Sequence, residues 1–127
     1  MKYLCLICAD RMMEDMPEDA AREHFQEYME FTESIRRRGQ LVGGNRLLPP
    51  KTATTVRVRE GNVIVTDGPY SETKEQLGGY YLIQARDLND AIQVAARIPG
   101  ARYGCVELRP VADDPQTRAL GLEISGA

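Results

Sequence analysis

Tryptophan is absent from this chain, histidine occurs once, phenylalanine twice and cysteine three times. Each scarcity excludes something. One histidine, His24, with carboxylates scattered along the chain gives no zinc-type ligand spacing, so neither a metal nor a cofactor is expected. Three cysteines at unrelated spacings make no disulfide framework and suit a reducing compartment. Cys5-x-x-Cys8 has the spacing of a metal or redox motif, but residues three apart on a strand point to opposite faces and cannot grip one ion together. Long hydrophobic runs are also missing. Tyr3 to Ala9 is apolar but stops at Asp10-Arg11, too short for a bilayer and without an export cleavage pattern, so a cytoplasmic protein with no membrane partner is expected. Nor is there an excess of basic residues: the net charge is −3 and the pI about 5.2, which argues against nucleic acid as a partner. The run Arg36-Arg37-Arg38 precedes Gly39, where cations complement the negative end of a helix dipole. Gly43-Gly44 and Gly78-Gly79 lack the pattern of a phosphate loop, and no serine sits in a nucleophile elbow.

What is present fits one domain of residues 1–111 and a polar tail of 112–127. Lys2 to Ala9 reads as a strand that is apolar at nearly every position. Pro17, with Glu18 and Asp19 behind it, opens a helix that runs to the arginines before Gly39. Its predicted apolar stripe is Ala21, Phe25, Tyr28, Met29, Thr32 and Ile35. A second strand starts at Leu41 and ends before Pro49-Pro50. Thr54 to Arg59 and Val63 to Thr66, β-branched and joined by Glu60-Gly61-Asn62, form a hairpin. Another strand covers Gly79 to Ala85. Asp87 then caps a helix carrying Leu88, Ala91, Ile92 and Ala95, with Asp90 in capping-box register. Pro99-Gly100 ends that helix, and Cys105 to Arg109 is the last strand.

The order strand, helix, strand, hairpin, strand, helix, strand predicts an α+β fold: a ferredoxin-like subunit with an inserted β-hairpin. Both helices of such a fold cover one sheet face. Because the first strand is apolar on both sides, the other face calls for a second copy, giving a homodimer built as a dimeric α+β barrel with a cavity at its seam.

The most informative stretch is Asp67-Gly68-Pro69-Tyr70, followed by Ser71-Glu72-Thr73-Lys74, where turn-forming and ionisable residues sit between two strands. His24 lies at the edge of the first helix's stripe beside Tyr28 and Phe31, the usual kind of residue for proton transfer near neutral pH. The expected catalytic pair is His24 with Asp67. Tyr70, Glu72, Lys74 and Arg109 are the expected ligand contacts, the cations holding an anionic group and Tyr70 closing over it. Glu107 and Arg109 on one strand also have the arrangement of an ion pair. The function expected is small-molecule binding, with acid/base chemistry in a pocket beside the loop. The alternative is a noncatalytic sensor or accessory module linked to transcription regulation.

Lys2-Tyr3-Leu4, the segments Pro50 to Arg57 and Thr66 to Ile83, and Val106-Glu107-Leu108-Arg109-Pro110 together resemble the YCII-related family, in its DGPF-domain subgroup. Tyr70 stands where the subgroup has the phenylalanine that names it. The resemblance implies a dimeric α+β barrel of ferredoxin-like subunits and a histidine–aspartate active site of the kind proposed for the wider family. Some relatives are tied by context to sigma factors.

Overall fold

The computed structural model describes residues 1–10, 15–71 and 73–122. Six strands and three helices follow the order β1 (Lys2–Ala9), α1 (Glu18–Arg37), β2 (Leu41–Arg46), β3 (Thr54–Arg59), β4 (Asn62–Asp67), β5 (Gln76–Gln84), α2 (Leu88–Ala96), β6 (Gly104–Pro110) and α3 (Pro115–Ala119). Four strands form an antiparallel sheet in the order β2-β5-β1-β6, an α+β arrangement compatible with a ferredoxin-like fold. β3 and β4 make a separate two-stranded ribbon.

Alternation along β1 decides which side is the core. Tyr3 and Cys5 are 2% and 0% exposed and, with Ile7 and Ile83, pack under the helices against Phe31, Ile35, Ala91, Val94 and Ile98. Leu4, Leu6 and Cys8 point to the other face and are half-buried. Cys5 and Cys8 therefore lie on opposite faces. Burial pushes the Cys5 thiol up to about 11, as expected of a thiol serving as a small hydrophobe. Cys8 pairs across the strands with Cys105.

The helices are turned relative to the predicted stripes. α1 buries His24, Phe31 and Ile35, spaced by seven and four residues, while Phe25 and Met29 remain 53% and 52% exposed. α2 buries Ala91, Val94 and Ala95 and leaves Leu88 and Ile92 half-exposed. In both cases several apolar residues satisfied helical spacing, and the sheet selected one flank of them. Asp87 caps α2 by accepting the Asp90 N–H at 2.8 Å. Asp90 in turn reaches one residue past the cap and accepts the Arg86 N–H at 3.0 Å. The tail contributes α3, whose cap Asp114 accepts the Thr117 N–H at 2.6 Å.

Candidate functional site

Where α1 passes the β2–β5 edge of the sheet it leaves an open cleft of about 900 Å³. Glycine shapes its sheet side. Added Cβ atoms at Gly44 and Gly79 would lie 2.8 Å from the Tyr80 carbonyl oxygen and 3.0 Å from the Asn45 carbonyl oxygen, so β2 and β5 approach this closely only with glycine at both places. At Gly43 a Cβ would meet nothing within 4 Å. Gly43 pairs with Leu82 and so faces the opposite side of the sheet from Gly44, which pairs with Tyr81.

The helix side is aromatic. Tyr28 and Tyr81 stack with ring centroids 6.5 Å apart, and Tyr81 meets Phe31 edge-on at 5.3 Å. Thr32 Oγ1 donates its one proton to the Tyr28 carbonyl at 2.7 Å, so the 2.6 Å contact between Thr32 and Tyr81 has the Tyr81 hydroxyl as donor. Tyr28 Oη accepts the Gly100 N–H at 3.0 Å. A Cβ at Gly100 would fall 2.6 Å from that oxygen and 2.8 Å from Ile7 Cγ2, so any larger residue there must push these side chains aside. Burial pushes the Tyr28 hydroxyl up to about 12, which keeps it protonated.

His24 sits among these rings, 4.9 Å from Tyr28 and 5.1 Å from Tyr103 between centroids, edge-on to both. It lines the cleft yet is only 8% exposed. Burial, with a smaller contribution from Arg102, lowers its pKa below the ordinary imidazole value, and Glu27 opposes the shift. Glu27 itself is ion-paired to Arg102. The imidazole is accordingly neutral near pH 7. Its Nδ1 is enclosed and has no hydrogen-bond partner among the described residues. An orphaned acceptor is cheaper than an orphaned N–H, which favours the tautomer protonated on Nε2 and leaves that nitrogen to act as a donor.

The other expected site residues lie elsewhere. Asp67 ends β4 and is exposed, its loop anchored by Gly68 N–H to the Ala53 carbonyl at 2.8 Å and by Thr55 Oγ1 to the Gly68 carbonyl at 2.8 Å. Gly68 has φ +100°, a conformation that excludes most side chains. Tyr70 is 81% exposed, with the Arg57 guanidinium 5.9 Å from its ring centroid. Lys74 is exposed, and Glu72 lies outside the described residues. Arg109 projects from the outer sheet face and bonds Glu107 at 2.6 Å. Of the described candidates only His24 lines the cleft. Sequence reasoning missed Tyr103, Gly44 and Gly100 as site-forming residues. The signal that was available is the glycine doublet on each of two strands that turn out to be neighbours. Among the described residues no group of three or more His, Cys, Asp and Glu is placed to hold a metal, and no helix is long and apolar enough to cross a membrane.

An antiparallel sheet backed by two helices, with an aromatic cleft at its edge, defines a small α+β protein. A profile of the YCII-related domain matches residues 1–114, and the chain belongs to that family. It is similar to an uncharacterised protein of Rhizobium meliloti (strain 1021), 37% identical over 98 residues that make up 72% of this chain and 79% of that relative.

Proposed function

We propose that this protein binds a small organic molecule in the cleft between α1 and the β2–β5 edge, with His24 exchanging or donating a proton there. One observation carries the reading: an imidazole more than nine-tenths buried, without a partner for Nδ1, faces a concave space of ligand size. The depressed pKa keeps the ring neutral, the form in which it serves as a base or as an Nε2 donor. Asp67 is the proposed carboxylate partner, and Tyr70, Glu72 and Lys74 follow it on the same loop as candidate ligand contacts.

A homodimer belongs to the same proposal. Leu4, Leu6 and Leu82 share the sheet face opposite α1 and α2, which no helix covers among the described residues, and a second copy stacked there closes a dimeric α+β barrel. The test uses the single histidine as reporter. Aromatic and carboxylate fragments are screened by the His24 imidazole resonances in wild type and in Met29→Trp, which adds bulk at a half-exposed position on the helix wall of the cleft. The reading expects fragments that move the wild-type signal and fail to move the variant's at unchanged melting temperature. Fragments that bind equally well to both proteins without touching His24 would refute it.

A further inference from the structure

Two of the three thiols meet on the outer face of the sheet. β1 and β6 pair without a break in register, which sets Cys8 directly opposite Cys105. Both side chains stand on the face away from the helices, with Leu6 and Glu107 as the next pair on that face. β6 ends the sheet, and Cys105 is exposed while Cys8 is half-buried. The two thiols are close enough to share a hydrogen bond. Cys5 is buried on the opposite face and cannot join them.

The rung has dimensions that a disulfide can use. The Lys2 carbonyl accepts the Val111 N–H at 2.9 Å, and the alternation of an antiparallel ladder from that pair makes Cys8 and Cys105 a hydrogen-bonded pair as well. Such pairs hold their Cα atoms about 5.5 Å apart, inside the roughly 4.4 to 6.8 Å that a disulfide spans. Their Cβ atoms, about 4.5 to 5.5 Å apart, must close to about 3.8 Å. The neighbouring rung shows strands already drawn together: a Cβ on Gly104 would collide with the Cys8 carbonyl oxygen and lie 2.8 Å from the Ala9 Cα. Strands held this close can pinch by the remaining distance, and the strain that is left makes the bond easy to reduce.

The surroundings set the order of reaction. Burial, the Cys105 thiol and the carboxylates of Glu107 and Glu75 all push the Cys8 thiol above the ordinary thiol value. Cys8 is therefore a slow nucleophile towards outside reagents, and the exposed Cys105 is the sulfur they meet first.

We propose that Cys8 and Cys105 form a redox-active dithiol, a site of thiol–disulfide exchange with small organic disulfides. Neither residue lines the His24 cleft, so the site is independent of it. The Cys105 thiolate attacks one sulfur of the small disulfide, whose S–S bond breaks, and one half leaves as a thiolate that takes up the proton Cys105 lost. Cys8 then gives up its proton and attacks the Cys105 sulfur of the mixed disulfide, expelling the second half, which leaves as a thiol. The chain ends with a Cys8–Cys105 bond, oxidised by two electrons, and the reagent ends as two thiols, reduced by the same two. Excess small thiol reverses both steps, the transient use of cysteine that a reducing compartment permits.

The experiment treats the purified chain with oxidised glutathione, unfolds it in the presence of iodoacetamide to trap remaining thiols, and maps the peptides by mass spectrometry without reduction. The expected product joins Cys8 to Cys105 within one chain, leaves Cys5 alkylated, and reopens in excess reduced glutathione. Cys8→Ser is expected to stop at a glutathione adduct on Cys105, and Cys105→Ser to leave Cys8 unreacted over the same period. Melting temperatures check that both variants fold, and the wild-type map decides without them. The inference is overturned if wild type retains the adduct on Cys105 with Cys8 free, if the bond joins Cys105 residues of two chains, or if neither thiol reacts. A bond that includes Cys5 would also sink it, because the chain must then have opened before reacting.

Discussion

Tyr28 Oη and the Gly100 backbone are locked together: the hydroxyl oxygen accepts the Gly100 N–H at 3.0 Å, and there is no space between them for a methyl group. This contact ties α1 to the turn before β6 and sets the ring against which His24 rests.

Tyr28→Phe removes the acceptor and leaves a half-buried N–H unpaired, which costs about 1 to 3 kcal/mol in denaturant unfolding. Gly100→Ala is expected to destabilise by a similar amount, about 1 to 3 kcal/mol, through overpacking. The double variant should cost less than the sum, because removing the hydroxyl relieves the nearer of the two contacts a methyl would make, the 2.8 Å approach to Ile7 Cγ2 remaining. Additive losses would show that the two groups do not share the contact.

The pH dependence of stability that His24 contributes has a definite sign, because burial lowers its pKa from an unfolded value near 6.5. Between the folded and unfolded pKa values the unfolded chain binds more protons, so stability rises with pH across that window. The contribution of His24 is full above about pH 6.5 and is lost as pH falls through the depressed folded value. Replacing His24 by Gln should flatten this part of the profile. A His24 titration midpoint above 6.5 in the folded protein would contradict the burial argument.

Ile35 is fully buried where α1 meets the sheet, and Ile35→Ala should cost about 2 to 5 kcal/mol. Asp87→Ala, which deletes the α2 cap bond to Asp90, should cost about 1 kcal/mol. If the cap change proved the larger of the two, the core would lie elsewhere than under α1.

Leu6→Asp introduces a charge on the sheet face opposite the helices, level with Tyr80 and Glu107 on the flanking strands. A second copy stacked there predicts monomers in sedimentation at concentrations where wild type is dimeric. An unchanged dimer would exclude this face from the interface.

Much of the fold could be read from local chemistry. β1 ends where the charges begin, Pro17 and Gly39 bracket α1, and Asp87 announces α2 because its carboxylate has one obvious use. What could not be read was the rotation of each helix. Phe25, Met29 and Ile35 all obey helical spacing, and only the position of β5 decides that Phe25 faces open space while Phe31 goes inside. The short helix after Asp114 was lost in a segment read only as polar. The candidate site divides for the same reason. His24 was identified by its residue type, but the rings of Tyr28, Tyr81 and Tyr103 gather around the cleft only through long-range pairing. Asp67 was legible as a rigid turn, yet the direction in which its ribbon projects is not written in the turn.

The measurement that bears most directly on this account is the His24 imidazole spectrum during titration with small aromatic and carboxylate compounds, in wild type and in Met29→Trp. The cleft reading predicts saturable movement of the one histidine signal in wild type and its loss in the variant. A histidine signal that stays fixed while the same compounds bind the protein would place the site elsewhere.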